Sequence, residues 1–600
     1  MFLDGFLYGS ALAFVGLIVG GRVLRQRRPR QARLFSWLNI LLCATFAAGL
    51  IWALPFCFAP GVHFWEALFT SIIGVLQMFS LDGDFGALRE LVWCSSPALT
   101  VAYQSFGAFL YTLGPVLTVG FVLSLFQNIS TWFRLKWNYF RKIYIFSALN
   151  EQSLALAKSC RDHEQSRGKK CLIVFANVQE DPPLQDEAAA LRPHFTRLNP
   201  TSPQFQSHSP ASERIFFALF EDEGENLQLT LDLIDLYKQA ENTSLYCFAA
   251  SQESALLIGS TMDESMKMKI WRVNQVQSLV YHYMYEHNLF AHAIEGEDGT
   301  KRISIALVGL GRYGTEFLKA AVWCGQLPGY QLSLHIFDAD PDAEDRFAAQ
   351  CPELMELNHN TIDGEAHYDI WFHRSADGGG INVHSPAFHT LLADNGPYTQ
   401  AIVTLGSDTE NLETAVALRR LFARTQPEFA PRIDAVIYQP NKAQTLREFG
   451  LTDYKGTSYD IHVIGDLDAT FSYDSVMPDE LERLARERHL AWTDRSNPEA
   501  VYADTRKFYK YEYFYRSSLA SVIRRKIRAD LGIPGMDKPV KERTREERVG
   551  IQRMEHAGWN AYMRTEGFRY SPVRNDMARL HNDLIPFDQL SIAEQEKDDD

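Results

Sequence analysis

Val308-Gly309-Leu310-Gly311-Arg312-Tyr313-Gly314 decides the reading of this chain. It sits inside residues 303–320, where a β-branched and Leu-rich run gives way to a glycine turn and then to an amphipathic pattern from Thr315. Strand, GxGxxG and helix in that order form the context in which glycines let a backbone approach a pyrophosphate at a helix N-terminus. The next strand ends in Ile336-Phe337-Asp338-Ala339-Asp340. Asp338 lies 24 residues beyond Gly314, close to where an acid meets a ribose hydroxyl. Gly309, Gly311, Arg312, Tyr313, Gly314, Asp338 and Asp340 are therefore the candidate nucleotide-binding residues. The alternative is a tight turn kept for packing.

The pattern around this turn recurs along the chain. Strands are expected at 143–147, 171–176, 214–220 and 244–250, with helices at 151–162 and 226–239. After 293–301, read as a linker, strands are expected at 303–308, 331–338, 368–373, 401–405 and 435–438, with helices at 315–323 and 411–423. Such alternation implies parallel sheets joined by right-handed crossovers. The earlier unit opens with Phe146-Ser147-Ala148-Leu149-Asn150-Glu151, which holds no glycine. Its backbone cannot approach a pyrophosphate closely, so this copy reads as structural.

The N-terminal part is of another kind. Runs 6–24 and 34–56 are almost free of charge, and 101–126 carries no ionisable group except tyrosine. Each approaches or exceeds the ~20 residues that span hydrocarbon. Residues 21–33 hold six arginines and no acid, and 131–142 hold four basic residues beside Trp and Tyr. Both basic clusters should be cytoplasmic. Three spans follow, multi-pass in the plasma (inner) membrane, with the N-terminus outside and the bulk of the chain cytoplasmic. A cleaved signal peptide is not expected, since a basic n-region is missing.

Between spans two and three, within 61–91, the apolar stretch 64–79 runs into Ser80-Leu81-Asp82-Gly83-Asp84. A short apolar helix followed by a Gly-Asp turn has the layout of a re-entrant pore loop. Asp82, Gly83 and Asp84 would line it, and a ring of such carboxylates attracts cations. A helix lying on the outer surface is the other reading. Cys57 and Cys94 bracket this loop and could pair in an oxidising compartment. None of the eight cysteines lies in a CxxC pair, so no zinc or redox motif is indicated.

The formal net charge of −15 argues against nucleic acid as a general partner. A charged helical connector is expected at 478–531, where Phe508–Tyr515 reads as helix packing, with stacking on a base or sugar as the alternative. A Pro/Gly-punctuated linker follows at 532–548. GxSxG, HExxH and Walker A motifs are absent. No His/Lys/Tyr constellation suits hydride transfer, so a tethered NAD(P) oxidoreductase, and an enzyme generally, is not expected.

Two resemblances sharpen these readings. Membrane spans, then 143–151 (IYIFSALNE), then a unit with GLGRYG at 309–314 resemble tandem regulator-of-potassium-conductance (RCK) domains, over about residues 60–465. The 64–84 stretch resembles the pore region of tetrameric cation channels. It has Met78-Phe79-Ser80-Leu81-Asp82 where the potassium filter has Thr-Val-Gly-Tyr-Gly. Residues 548–600 resemble a ryanodine-receptor-type (RyR) repeat through His556-Ala557-Gly558-Trp559, Gly567-Phe568-Arg569-Tyr570, His581 and Leu584-Ile585-Pro586-Phe587, departing at Ser571 and Asn582.

The resemblances imply a membrane α-helical domain (1–130) of three spans plus a re-entrant pore helix. Two α/β Rossmann-like RCK domains (142–292 and 302–465) and a small α-helical RyR-type domain (548–600) would follow. They imply a homotetramer in contact with membrane lipid, binding NAD(H) or another adenine nucleotide such as ADP-ribose or ATP. Gly309, Gly311, Arg312 and Gly314 would hold the phosphates and Asp338 the ribose. In the last domain Trp559, Arg564, Tyr570, Arg574 and His581 are the ligand candidates, beside a core of Trp559, Phe568, Tyr570 and Phe587. The expected function is a ligand-gated cation channel, the RyR-type module acting as a second sensor suspended on a flexible linker. A membrane-disrupting effector in bacterial nucleotide-signalled anti-phage defence is the alternative.

Overall fold

Both expected sheets form, and both carry one strand order. In the first, β1 (Lys142–Phe146), β2 (Cys171–Phe175), β3 (His194–Phe195), β4 (Arg214–Ala218), β5 (Thr243–Phe248) and β6 (Lys269–Val273) lie in the order 3-2-1-4-5-6, all parallel. After β7 (Ile294–Glu295), the second sheet is built from β8 (Lys301–Val308), β9 (Tyr330–Phe337), β10 (Tyr368–His373), β11 (Gln400–Val403), β12 (Arg432–Val436) and β13 (Ile461–Ile464). These six repeat the order in parallel, and β7 is added antiparallel to β8. This is the Rossmann-like, doubly wound α/β arrangement, with the strand order reversing beside β1 and beside β8.

The computed structural model describes residues 2–27, 37–57, 62–80, 94–137, 142–179, 184–206, 211–262, 266–359, 368–477 and 480–598. They fall into a helical unit, Met1–Trp137, and an α/β unit, Asn138–Asp600. Asp82, Gly83 and Asp84 lie outside the described residues, as do residues 28–33 of the basic stretch.

In the helical unit, α1 (Phe2–Arg27), α2 (Trp37–Cys57), α3 (Phe64–Ser80) and α4 (Pro97–Lys136) pack on one another. Trp52 and Tyr103 lock α2 to α4. The indole Nε1 donates to Tyr103 O (3.1 Å), the phenol donates to Trp52 O (2.5 Å), and the rings stack at 5.4 Å. Leu12, Trp65, Phe69 and Val116 are left facing outward. Exposed apolar faces on several helices of one unit are costly in water and suit lipid or a partner. Among the described residues, Leu3–Arg22 is long and apolar enough to cross a membrane, while the apolar parts of α2 and α3, Ile40–Pro55 and Phe64–Ser80, are shorter. Cys57 and Cys94 are free thiols and do not pair.

The α/β unit is more interlocked than two beads on a string. Strand side chains such as Ile145, Phe146, Val174 and Phe217 are buried, as expected where helices cover both faces of a parallel sheet. The principal helices are α5 (Glu151–Ser166), α6 (Glu223–Tyr237), α7 (Gln252–Thr261), α8 (Gln275–Glu286), α9 (Arg312–Cys324), α10 (Asp408–Thr425), α11 (Glu480–His489), α12 (Pro498–Lys510), α13 (Glu512–Asp530) and α14 (Arg545–Thr565). Helix α8 follows the first sheet, yet Val280 and Met284 enter the core of the second. Conversely Leu467, Phe471 and Tyr473 follow the second sheet and enter the core of the first. Each half supplies part of its neighbour's interior.

Two expectations change. Residues 293–301 are not a loose linker: Gly296 N–H donates to Thr300 O (2.9 Å) and β7 pairs back on β8. The C-terminal module is not suspended either. Arg543 donates to Gly535 O (2.9 Å), a Thr544/Glu547 capping box starts α14, and α14 packs on α9. Tyr562 meets Trp323 edge-on at 6.2 Å, and Cys351 Sγ donates to Thr565 O at 3.2 Å. So short a segment cannot bury its own apolar face and takes the second sheet's helices as partner.

Candidate functional site

The glycine turn leaves β8 beside β11, where the strand order reverses. Gly309 has φ +92°, a conformation L side chains rarely adopt. Its N–H donates to Phe337 O (2.8 Å), and its carbonyl accepts from Thr404 Oγ1 (2.6 Å). A side chain on Gly309 would run into the Thr404 carbonyl, and one on Gly314 into the carbonyl of Gly309. Both glycines are demanded by the close approach of turn, strand and helix. Gly311 is not: a Cβ there would meet nothing within 4 Å. It is the N-cap of α9, with no side-chain hydrogen bond to the helix. Packing therefore accounts for the first and third glycines and leaves the second unexplained.

The equivalent turn of the first sheet shows the contrast. Asn150 caps α5, accepting from Ser153 N (2.8 Å), and its amide donates to Leu219 O (3.0 Å). Ser147 Oγ accepts from Leu219 N (2.8 Å). Side chains of the protein itself fill the place where an anion would sit. At α9 no side chain caps the N-terminus, where the helix dipole leaves partial positive charge.

Around the second turn, Arg312 is exposed and Tyr313 half-buried, its phenol pushed up to about 12 by burial. Burial raises the Glu223 carboxyl at the start of α6, but hydrogen bonds from Ser251 and the charge of Arg312 bring it below its usual range. Gln152 Nε2 donates to Tyr438 OH (3.4 Å) nearby. Arg312 thus lies within electrostatic reach of Glu223, at the start of a helix of the first sheet.

Asp338 stands at the end of β9 as expected, but its carboxylate is already occupied. Oδ2 accepts from Leu310 N in the turn, and Oδ1 from Asp340 N (2.7 Å). Asp340 accepts from Asp342 N (2.9 Å) and from Arg346, which hold its carboxyl low. The segment 374–380 then folds over this edge, with Ile381 N–H donating to Asp338 O (2.6 Å) and Gly380 against the Ala339 carbonyl. The space between Asp338, Arg374 and Gly380 is about 10 Å³, room for about one water. The N-terminus of α9 is thus left without a side-chain cap, while the space beside Asp338 is nearly filled.

The C-terminal candidates meet in small groups, and Tyr570 pairs with His581 between two short strands. Trp559 meets His581 edge-on at 5.0 Å, and His581 is buried, its imidazole pushed down by burial and by Arg574. Arg564 faces Glu353 at 3.8 Å, and Tyr570 N–H donates to the same carboxylate (2.8 Å). Arg574 is exposed, paired with Asp576 at 2.8 Å. Sequence reasoning missed Thr404, which donates to the Gly309 carbonyl, and Glu223, whose carboxyl feels the charge of Arg312; no local motif marks either. Among the described residues no group of His, Cys, Asp or Glu is placed to hold a metal ion. No protein-family model matches this chain and no curated protein matches it.

Proposed function

We propose that this chain is a membrane sensor in which an anionic nucleotide at the N-terminus of α9 gates a cation pathway formed by several copies. Gly311 carries the reading: it is the one glycine of the turn that the fold does not need, and it leaves a helix N-terminus bare beside Arg312. The ligand class is an adenine nucleotide, NAD(H), ADP-ribose or ATP. Its phosphates sit on the turn, and its ribose reaches Asp338 once segment 374–380 withdraws. The span-length apolar helix of α1 and the outward apolar faces of the helical unit support membrane insertion. The three-span arrangement, with α3 leading re-entrantly into Asp82-Gly83-Asp84, is part of this proposal. So few helices cannot enclose a pore, and a ring of copies, four by analogy with the channels it resembles, closes one. Only a difference in ligand affinity between two states moves such a gate.

The test is mass spectrometry of nucleotides released from the purified, denatured chain, followed by calorimetry with NAD(H), ADP-ribose and ATP. Ligand-dependent cation flux in vesicles, reduced by Asp82→Asn with Asp84→Asn, completes it. A wild-type chain that binds none of these nucleotides would leave the turn a packing device.

A further inference from the structure

A second feature, remote from the glycine turn, is a cavity of about 1340 Å³ within the α/β unit. It exceeds the ~300–1,000 Å³ of ordinary small-molecule sites. Its walls come from α7, β6 and α8, from the corner between α12 and α13, and from 562–579 of the C-terminal segment. In a chain of net charge −15 its described lining holds six Lys and Arg against three Asp and Glu, together with nine aromatic rings.

We infer that this cavity is a second ligand site, taking an anion that carries an aromatic base, that is, a nucleotide. The charge is only partly cancelled from within, Asp576 pairing with Arg574. Glu512 accepts from Arg272 Nε (3.1 Å) and also pairs with Arg516, so one carboxylate is shared by two guanidinium groups. Arg579 spends a donor on the backbone carbonyl of Glu566. Lys319 reaches the wall from α9 and is 3.8 Å from Glu316. Cations in excess of carboxylates beside aromatic faces suit a phosphate, arginine above all.

The aromatic side has its own geometry. Helix α12 ends at Lys510 and α13 begins at Glu512, so the chain turns a corner at Tyr511. Phe508 is fully buried, as packing requires, but Tyr511 is 47% exposed and Tyr513 half-buried, facing Phe568 at 6.3 Å. Trp271, also on the wall, has its indole Nε1 buried with no hydrogen-bond partner. Rings held at a corner and left partly uncovered are stacking platforms for a base. The same helix, α9, starts at the glycine turn and reaches this wall at Lys319, so the two sites share an element, although the inference does not depend on the turn.

The test is photolabelling of the full-length, detergent-solubilised chain with 8-azido-ATP, competed by ATP, with adducts mapped by peptide. Adducts on peptides spanning 509–516 or 562–579 are expected, and these should survive Gly311→Asp. Arg574→Glu and Tyr511→Ala, both at exposed side chains, should each lower that labelling about tenfold, the loss of one charged or stacking contact. Adducts confined to 308–323, no adducts at all, or cavity labelling indifferent to both substitutions would overturn the inference. Absence of adducts at 308–323 alone would count against the glycine-turn reading and not against this one.

Discussion

A methyl group on Gly314 would collide with the carbonyl oxygen of Gly309, whereas one on Gly311 would touch nothing. The two positions should therefore part company on mutation. Gly311→Ala, at φ −71°, should change stability by less than about 1 kcal/mol. Gly314→Ala must push helix from strand and should cost about 1–3 kcal/mol. Gly311→Asp should fold yet bind no nucleotide, because its carboxylate occupies the phosphate position. Thermal unfolding and calorimetry on the three variants check this. Equal destabilisation at Gly311 and Gly314 would make all three glycines structural.

Glu555 on α14 lies between two arginines of α13, at 2.6 Å from Arg524 and 2.8 Å from Arg528, all three buried. Burial alone would raise its carboxyl, but Arg524 and Arg528 hold it well below the usual carboxylate range. Breaking such a buried group by removing one partner costs about 3–5 kcal/mol, so Glu555→Gln should lower the unfolding temperature markedly. A depressed carboxyl stabilises above its unfolded value of roughly 4.3 and loses that contribution as pH falls further. The wild-type chain should lose stability below pH ~4.3 more steeply than the variant. A pH profile identical in both would show that the ion pairs contribute nothing.

The docking of α14 on α9 reverses the expectation of a suspended module. Removing residues 545–600 uncovers Trp323 and the face of α9 beside it, along with Arg524 and Arg528. The truncated chain should therefore show a lowered unfolding temperature in its α/β unit and faster proteolysis there. A truncated chain as stable as the full one would restore the picture of an appended sensor.

What the sequence made legible was local. GLGRYG and the strand before it are contiguous, Asp338 stands at the end of the very next strand, and each lies where the pattern placed it. The short or charged outer strands were not: β6 reads Lys-Ile-Trp-Arg-Val, and β3 is only two residues long. Partners distant in sequence were also invisible. Nothing near Gly309 announces Thr404, nothing near Asp338 says that Leu310 N–H will claim it, and nothing in Phe508–Tyr515 separates the buried Phe508 from the exposed Tyr511. The exchange of α8 and residues 467–477 between halves is set by tertiary packing, which leaves no periodic trace in either segment.

The edge that carries Asp338 and segment 374–380 also holds a pair of facing histidines. His335 on β9 and His373 on β10 are 3.0 Å apart through Nδ1 and Nε2, and one ring donates to the other. His373 stacks on Phe337 at 4.6 Å, and His335 meets Tyr398 edge-on at 5.4 Å. Burial, then the proximity of His373, pushes His335 down to about 4, with Asp369 opposing weakly; burial also lowers His373. Unfolded histidine titrates near 6.5, so between about 6.5 and 4 the unfolded chain binds more protons than the folded one. Stability should fall as pH drops through that window, by up to about 3 kcal/mol for His335 alone. His335→Phe keeps a ring against Tyr398 and removes the titration. The unfolding temperature of the wild-type chain, followed from pH 7.5 to 4.5, should fall more than that of the variant. Since β9 and β10 end at the closed edge beside Asp338, acidification should also speed proteolysis within 374–380. Parallel profiles for the two proteins would mean that the histidines accept protons without loosening this edge.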